Sequence, residues 1–418
     1  MLMSSWPGWH QVWLGYAVFA AGVWLVTSWA IGYGLRRRKV LHADGGAVLD
    51  RGAPRLSVVV AAKDEEANIE GCVRSLLEQD YPDLQIIVAD DRSEDATPHI
   101  LARLAAETAG RLQVVRVTEL PPGWFGKNNA VRQGLRKATG SYFCFTDADC
   151  RLTSRSSLTV AMAHTLQEQA DFVSINPTLL MPTAWERIVQ PVCSAILLAW
   201  FPQHRVNKRR RRAAYANGQF MLLRREAYDA LGGHESVRTQ VNEDIHLARL
   251  AKERGLRLRI IDSEDLYTTR MYATPRETWR GWSRIFYGSI GSPLRIAGTM
   301  AFLIVAVLGV WAGFLGSLLL LATRDFEATA SAKALCIAWG LVLLLMHAAM
   351  VRVYRPFRLG IGWSLTFPLG AAAATAIMGA AFLKAIGASS ITWRGTTYRG
   401  ERVVSANQDA DTPTSTIE

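Results

Sequence analysis

Cysteine is scarce and unpatterned: five in 418 residues, with no CxxC pair and no metal-ligand spacing. That excludes a thiolate zinc site and a disulfide scaffold, so Cys72, Cys144, Cys150, Cys193 and Cys336 read as packing residues. No GxGxxG or GxxxxGK[ST] loop follows any predicted strand, which weighs against dinucleotide enzymes and P-loop hydrolases. Charge is missing altogether from residues 11–34, QVWLGYAVFAAGVWLVTSWAIGYG. About 20 apolar residues in helix cover the roughly 30 Å hydrocarbon core, so this stretch predicts a membrane span. A cleaved signal peptide fits less well, because no Lys or Arg precedes the stretch and no small-residue cleavage site follows.

Three more apolar stretches, at 297–322, 334–351 and 364–386, predict four spans in all. The expected organisation is a short segment 1–10, a span at 11–35, a basic flank and linker 36–54, a central domain 55–290, three spans, and a tail 387–418 whose end is disordered. Arg36, Arg37, Arg38 and Lys39 follow the first span, and Arg352, Arg355 and Arg358 lie between the last two. Lys and Arg favour the cytosolic side, so the central domain is expected in the cytosol of a multi-pass plasma-membrane protein, with both termini outside. Arg394, Arg399 and Arg402 in the tail pull the other way. The net charge of +11 invites a nucleic-acid reading, but the membrane explains it better. Lys208 to Arg212 follow the apolar stretch 188–202, so 186–212 reads as an interfacial segment beside anionic headgroups.

In the central domain, short β-branched runs alternate with helical patterns. Strands are expected at 56–62, 84–90, 112–117 and 141–149, and helices near 66–79, 95–109 and 127–138. The fold class is therefore α/β with a mostly parallel, Rossmann-like sheet. Ligands in such sheets sit beyond the carboxyl ends of the strands. Those ends carry Lys63, Asp64, Glu65 and Glu66, then Asp90 and Asp91, then Asp147 and Asp149. An end this acidic repels itself unless a cation or hydrogen-bond donors sit there. Asp147 and Asp149 flank one small residue and can converge on Mg2+ or Mn2+, ions that take few carboxylates plus diphosphate oxygens.

Four motifs carry a resemblance: VVVAAKDEEANIEGCVRSLLEQDYP at 58–82, IIVADDRSEDAT at 86–97, the Gly126-Lys127 pair with TDADC at 146–150, and NED at 242–244. Together they resemble the membrane-bound family 2 glycosyltransferases of GT-A fold, the nucleotide-diphospho-sugar transferases, over about 54–290 and the flanking spans. The resemblance implies that Asp90 or Asp91 contacts the nucleoside and that Glu65 or Glu66 lines the same pocket. It implies Asp149 as the main metal ligand, Asp147 as a metal or nucleotide contact, and Lys127 reaching nucleotide or phosphate. Asp244, ahead of Glu243, would be the general base that deprotonates the acceptor hydroxyl with inversion at the anomeric carbon. The family's (Q/R)xxRW element is altered here to Arg276-Glu277-Thr278-Trp279-Arg280-Gly281-Trp282-Ser283-Arg284, which leaves Arg280, Trp282 and Arg284 as diphosphate candidates or as anchors of an interfacial helix. Asn217-Gly218-Gln219 and Gly232-Gly233-His234 resemble the acceptor-side segment, although a lone His is more often structural.

The expected partners are a nucleotide-sugar donor, a UDP-sugar first, a lipid acceptor and the membrane, with no nucleic acid. The lipid follows from an active site tied to the bilayer from both ends. A processive polysaccharide synthase is the enzymatic alternative, disfavoured by four spans and the altered RxxW region. An inactive nucleotide-binding scaffold is the other, disfavoured by the intact Asp91, Asp147, Asp149 and Asp244.

Overall fold

Eight strands form the main sheet: β1 (Val40–Leu41), β2 (Leu56–Ala62), β3 (Leu84–Asp91), β4 (Leu112–Val117), β5 (Tyr142–Asp147), β6 (Phe172–Asn176), β7 (Phe220–Arg224) and β8 (Leu258–Ser263). Their spatial order is β1-β8-β6-β7-β5-β2-β3-β4. β7 runs antiparallel to β5 and β6, and the other pairings are parallel. The computed structural model describes residues 8–44, 49, 52–322 and 329–389, with the backbone of 391–393, 396–399 and 402–406. Residues 1–7 of the N-terminal segment, 45–48 and 50–51 of the linker, 323–328, Arg394 and the end of the tail at 407–418 lie outside the described residues.

Residues 39–180, 203–271 and 383–418 make one compact unit, and residues 1–38, 181–202 and 272–382 make another. The stretch 55–290 expected as one domain thus contributes to both units. The interfacial segment expected at 186–212 divides as well, since the helix Ala184–Trp200 groups with the apolar helices while Arg209 to Arg212 are exposed on the sheet-bearing unit. The capped, amphipathic start of that helix explains the grouping: Thr183 and Glu186 form a capping box, and Val189, Val192 and Cys193 are buried.

In the sheet-bearing unit, Val58, Val59, Val60, Ile86, Ile87 and Val88 are all buried, as strands covered on both faces must be. Helices α1 (Ile69–Leu77), α2 (Thr97–Glu107) and α3 (Gly126–Leu135) provide the crossovers after β2, β3 and β4. α1 and α2 begin later than the periodicity predicts. Residues 63–68 and 92–96 are instead committed to a lattice between two loops. Asp64 N donates to Ser93 Oγ at 3.0 Å, Glu94 N to Asp64 Oδ1 at 2.9 Å, and Ala96 N to Glu66 Oε2 at 2.9 Å.

In the other unit, the helices Gly8–Arg36, Pro293–Ala322, Ala330–Phe357 and Ile361–Ala385 are long and apolar enough to cross a membrane. The second contains a π turn at Ile304–Leu308. Such a turn leaves carbonyls without helical partners, and Tyr16 Oη and Trp24 Nε1 of the first helix donate to the Val305 and Ala306 carbonyls at 2.5 and 2.6 Å. The backbone at 391–393, 396–399 and 402–406 forms a three-stranded antiparallel sheet where only a tail was expected.

Gly134 of α3 lets the helix lie against the sheet, because a Cβ there would stand 2.9 Å from Val59 Cγ1 and 3.6 Å from Ile87 Cγ2. Gly134→Val should therefore cost about 1–3 kcal/mol by overpacking. A thermal melt in detergent should fall by several degrees, and an unchanged melt would show that α3 can lift off the sheet freely.

Candidate active site

The strand ends meet as the sheet register dictates. Ala62 of β2 pairs with Asp90 of β3, and Ala61 pairs with Asp147 of β5, so acids from three strands share one edge of the sheet. Asp90 and Asp91 are buried and already partnered. Asp90 Oδ2 lies 2.6 Å from Arg116 Nη1, and Asp91 takes a two-pronged contact from Arg92 at 2.8 and 2.9 Å. Glu65 and Glu66 separate in role. Glu66 accepts from Ala96 N and clamps the loop, whereas Glu65 accepts from Asn68 Nδ2 at 2.9 Å and is close enough to Asp149 to act on its charge.

Asp149 follows β5 after the buried Ala148. Burial first, then the Asp147 and Glu65 charges, push its carboxyl up to about 7. The Cys150 thiol, 3.6 Å from Oδ1, is a weak donor against that. A hard divalent cation would relieve this crowding, so the residues fit one. Among the described residues no three His, Cys, Asp or Glu side chains converge to hold an ion unaided, so further oxygens would come from the ligand.

Lys127, in the first turn of α3, joins two acidic groups that the sequence reading kept apart. Its Nζ is 2.7 Å from Asp147 Oδ1 and 2.8 Å from Glu243 Oε1. Burial lowers its pKa, but attraction to Asp147 and Glu243 outweighs that and holds the ammonium well above its ordinary range. The side chain expected to reach phosphate is thus paired with carboxylates here. α3 also carries Asn128, which is fully buried and donates to the Val237 and Gln240 carbonyls at 2.7 and 3.0 Å. That clamp fixes the loop leading into α4 (Glu243–Glu253), where Glu243 and Asp244 open the first turn.

Asp244 is held by two backbone donors: Gly218 N on Oδ2 and its own neighbour Ile245 N on Oδ1, each at 2.8 Å. A Cβ on Gly218 would stand 3.2 Å from both Asp244 Oδ2 and Lys127 Nζ, so glycine permits the close approach of all three. Burial first, then Glu243, raise the Asp244 carboxyl to about 7, while Lys127 and the two backbone donors act against the rise. The result is a fixed, partly exposed carboxylate poised to take a proton near neutrality.

His234 is a packing residue. It is buried, its Nδ1 lies 2.8 Å from Tyr228 Oη, and burial drops its pKa to about 3. Arg280, Trp282 and Arg284 lie on the helix Pro275–Ile290 of the other unit. The Trp282 ring is buried, and its Nε1 donates to Gln190 Oε1 at 2.6 Å. Arg280 is exposed and Arg284 half-buried. Reading the sequence missed Arg92, Arg116 and Asn128. A loop full of acids needing partners was a signal for the arginines, but Asn128 acts across 109 residues and left no local signal.

Residues 57–232 match Glycosyl transferase family 2. A beta-monoglucosyldiacylglycerol synthase of Trichormus variabilis is 34% identical over 184 residues, 43% of this chain and 38% of that protein's own length. A 4,4'-diaponeurosporenoate glycosyltransferase of Staphylococcus aureus is 24% identical over 280 residues, 65% of this chain and 71% of that one. Among solved structures, a mannosyltransferase of Pyrobaculum calidifontis in complex with GDP-Man and Mn2+ superposes with a TM-score of 0.51 at 21% identity, covering 90% of this chain and 98% of that one. That likeness concerns the fold, which is GT-A. Residues 57–232 are thus a glycosyl transferase family 2 domain.

Proposed function

We propose that the chain moves one sugar from a nucleotide-diphospho-sugar, a UDP-sugar first, to a hydroxyl of a membrane lipid, with inversion and with Mg2+ or Mn2+. The observation that carries this reading is the Asp244 carboxylate, fixed by Gly218 N and Ile245 N beside the Lys127 bridge to Asp147. The names of the two curated relatives, a diacylglycerol glycolipid synthase and a diaponeurosporenoate glycosyltransferase, support a lipid acceptor. Four helices able to span a bilayer support its delivery from the membrane.

Asp244 takes the proton of the acceptor hydroxyl as its oxygen forms the new bond to the anomeric carbon. The bond from that carbon to the diphosphate breaks on the opposite side, and the nucleoside diphosphate leaves. A divalent ion, when bound, neutralises charge on the departing diphosphate, and Asp149 with Asp147 would hold it. Lys127 keeps Glu243 paired, so that Asp244 has the weaker neighbouring repulsion. Arg92 and Arg116 pair with Asp91 and Asp90 and orient them for the nucleoside side.

The basic residues Arg36 to Lys39, Arg352, Arg355 and Arg358 favour a cytosolic catalytic unit in the plasma membrane. A reporter fused near residue 45 should then score as cytosolic and one after residue 405 as external. The opposite score at residue 45 would reverse the orientation.

Asp244→Asn keeps shape but cannot accept a proton, so turnover should fall about 100- to 10,000-fold with donor affinity nearly unchanged. Asp149→Asn should weaken donor and metal binding together, as should a chelator on the wild-type protein. Near-native turnover of Asp244→Asn would remove it as base, and full turnover in chelator would remove the ion.

The raised Asp244 pKa carries a sign. Only the ionised carboxylate accepts a proton, so kcat/KM at saturating metal should climb with pH through about 7 and then level off. A profile flat from pH 5 to 8 would contradict an ionising base in this environment.

A further inference from the structure

We propose that Arg36 and Arg352 form a binding site for the phosphate of an anionic phospholipid at the basic end of the first spanning helix. The inference rests on reading the four apolar helices as membrane spans. Arg36 closes the last turn of the helix Gly8–Arg36, and Arg352 comes from the last turns of the helix Thr329–Tyr354. Both guanidinium groups converge on Gly32. Arg352 Nη1 and Arg36 Nη2 stand 3.5 and 3.8 Å from where a Cβ on Gly32 would be. A Cβ there would be in van der Waals contact with both groups, so Gly32 places the two arginines on one patch of the helix.

Two like charges brought together at the end of a span need a counter-charge. Among the described residues no carboxylate lies within ion-pair distance of either arginine, and the hydrogen bonds of Arg352 go to Ser28 O and Oγ at 3.4 and 3.0 Å. Ser28 is buried two turns before Arg36, so Arg352 sits deeper than the helix end. At this height the first helix also carries Trp29 stacked on Tyr33 at 5.6 Å, with Arg37 lying 4.5 Å over the Tyr33 ring. A Trp and Tyr pair marks the headgroup level of a bilayer. An arginine fork at that level, with most of its five donors unspent, matches a lipid phosphate in height, charge and geometry.

The test uses the full chain in phosphatidylcholine nanodiscs doped with phosphatidylglycerol, released and weighed by native mass spectrometry. The wild-type protein should retain phosphatidylglycerol over phosphatidylcholine. Arg352→Gln and Arg36→Gln should each cut that preference about fivefold, and Arg352→Lys should keep most of it. Should Arg352→Gln fail to insert, Arg36→Gln, which alters an exposed side chain at the helix end, carries the comparison. Equal retention by wild type and variants in inserted protein would overturn the site alone. Displacement of the lipid by millimolar inorganic phosphate would overturn its assignment to a lipid. Failure of the wild type to enter nanodiscs would overturn the membrane reading and the site with it.

Discussion

The Lys127 ammonium, held between Asp147 and Glu243, ties together two halves of the site that are far apart in sequence. Asp147 ends β5, and Glu243 opens the helix that also presents Asp244. Without a cation between them these carboxylates would repel across a partly dry cleft. Removing one member of a buried ion pair leaves an uncompensated charge that typically costs about 3–5 kcal/mol, which is large against the whole stability of a domain. The geometry of the cleft therefore depends on this one side chain.

The surroundings are arranged to keep Lys127 where it is. α3 starts beside the loop at 237–240, because Phe125 N donates to Arg238 O at 2.7 Å and Asn128 reaches the Val237 and Gln240 carbonyls. Gly218 admits the ammonium and the Asp244 carboxylate at once. Among the described residues, Asp244 is left without an ion-pair partner. Two backbone donors orient it, burial and Glu243 raise its proton affinity, and nothing neutralises it fully. A second under-compensated carboxyl, Asp149, stands on the other side of Asp147. Two acids with raised proton affinity around one bridging cation make a cleft able to receive both a cation and a proton.

Elsewhere the same economy of charge shapes the fold. The acids of the loops after β2 and β3 are consumed by backbone N–H groups and by Arg92 and Arg116, which shortens the helices that follow. In the apolar unit the π turn shows its carbonyls to Tyr16 and Trp24, side chains with one polar atom each, so a break in a long apolar helix is satisfied by side chains of its neighbour.

From sequence alone the β-branched runs determined β2 to β5 to within about two residues, because β2, β3 and β5 are buried on both faces and have to be largely apolar, while the edge strand β4 buries only Leu112 and Val117. The four apolar stretches likewise determined the four long helices, since an apolar run of that length is best satisfied as one continuous helix. The acids at the strand ends were legible for the same reason, being polar residues placed directly after buried runs. Tertiary structure alone decided that helix 184–200 belongs with the apolar helices, that Trp282 packs against Gln190, and that Lys127 meets Asp147 and Glu243 rather than standing at a helix start. Each of those depends on residues tens to more than a hundred positions apart. Local pattern records which face of an element is apolar, but which distant partner fills that face is settled only when the chain packs.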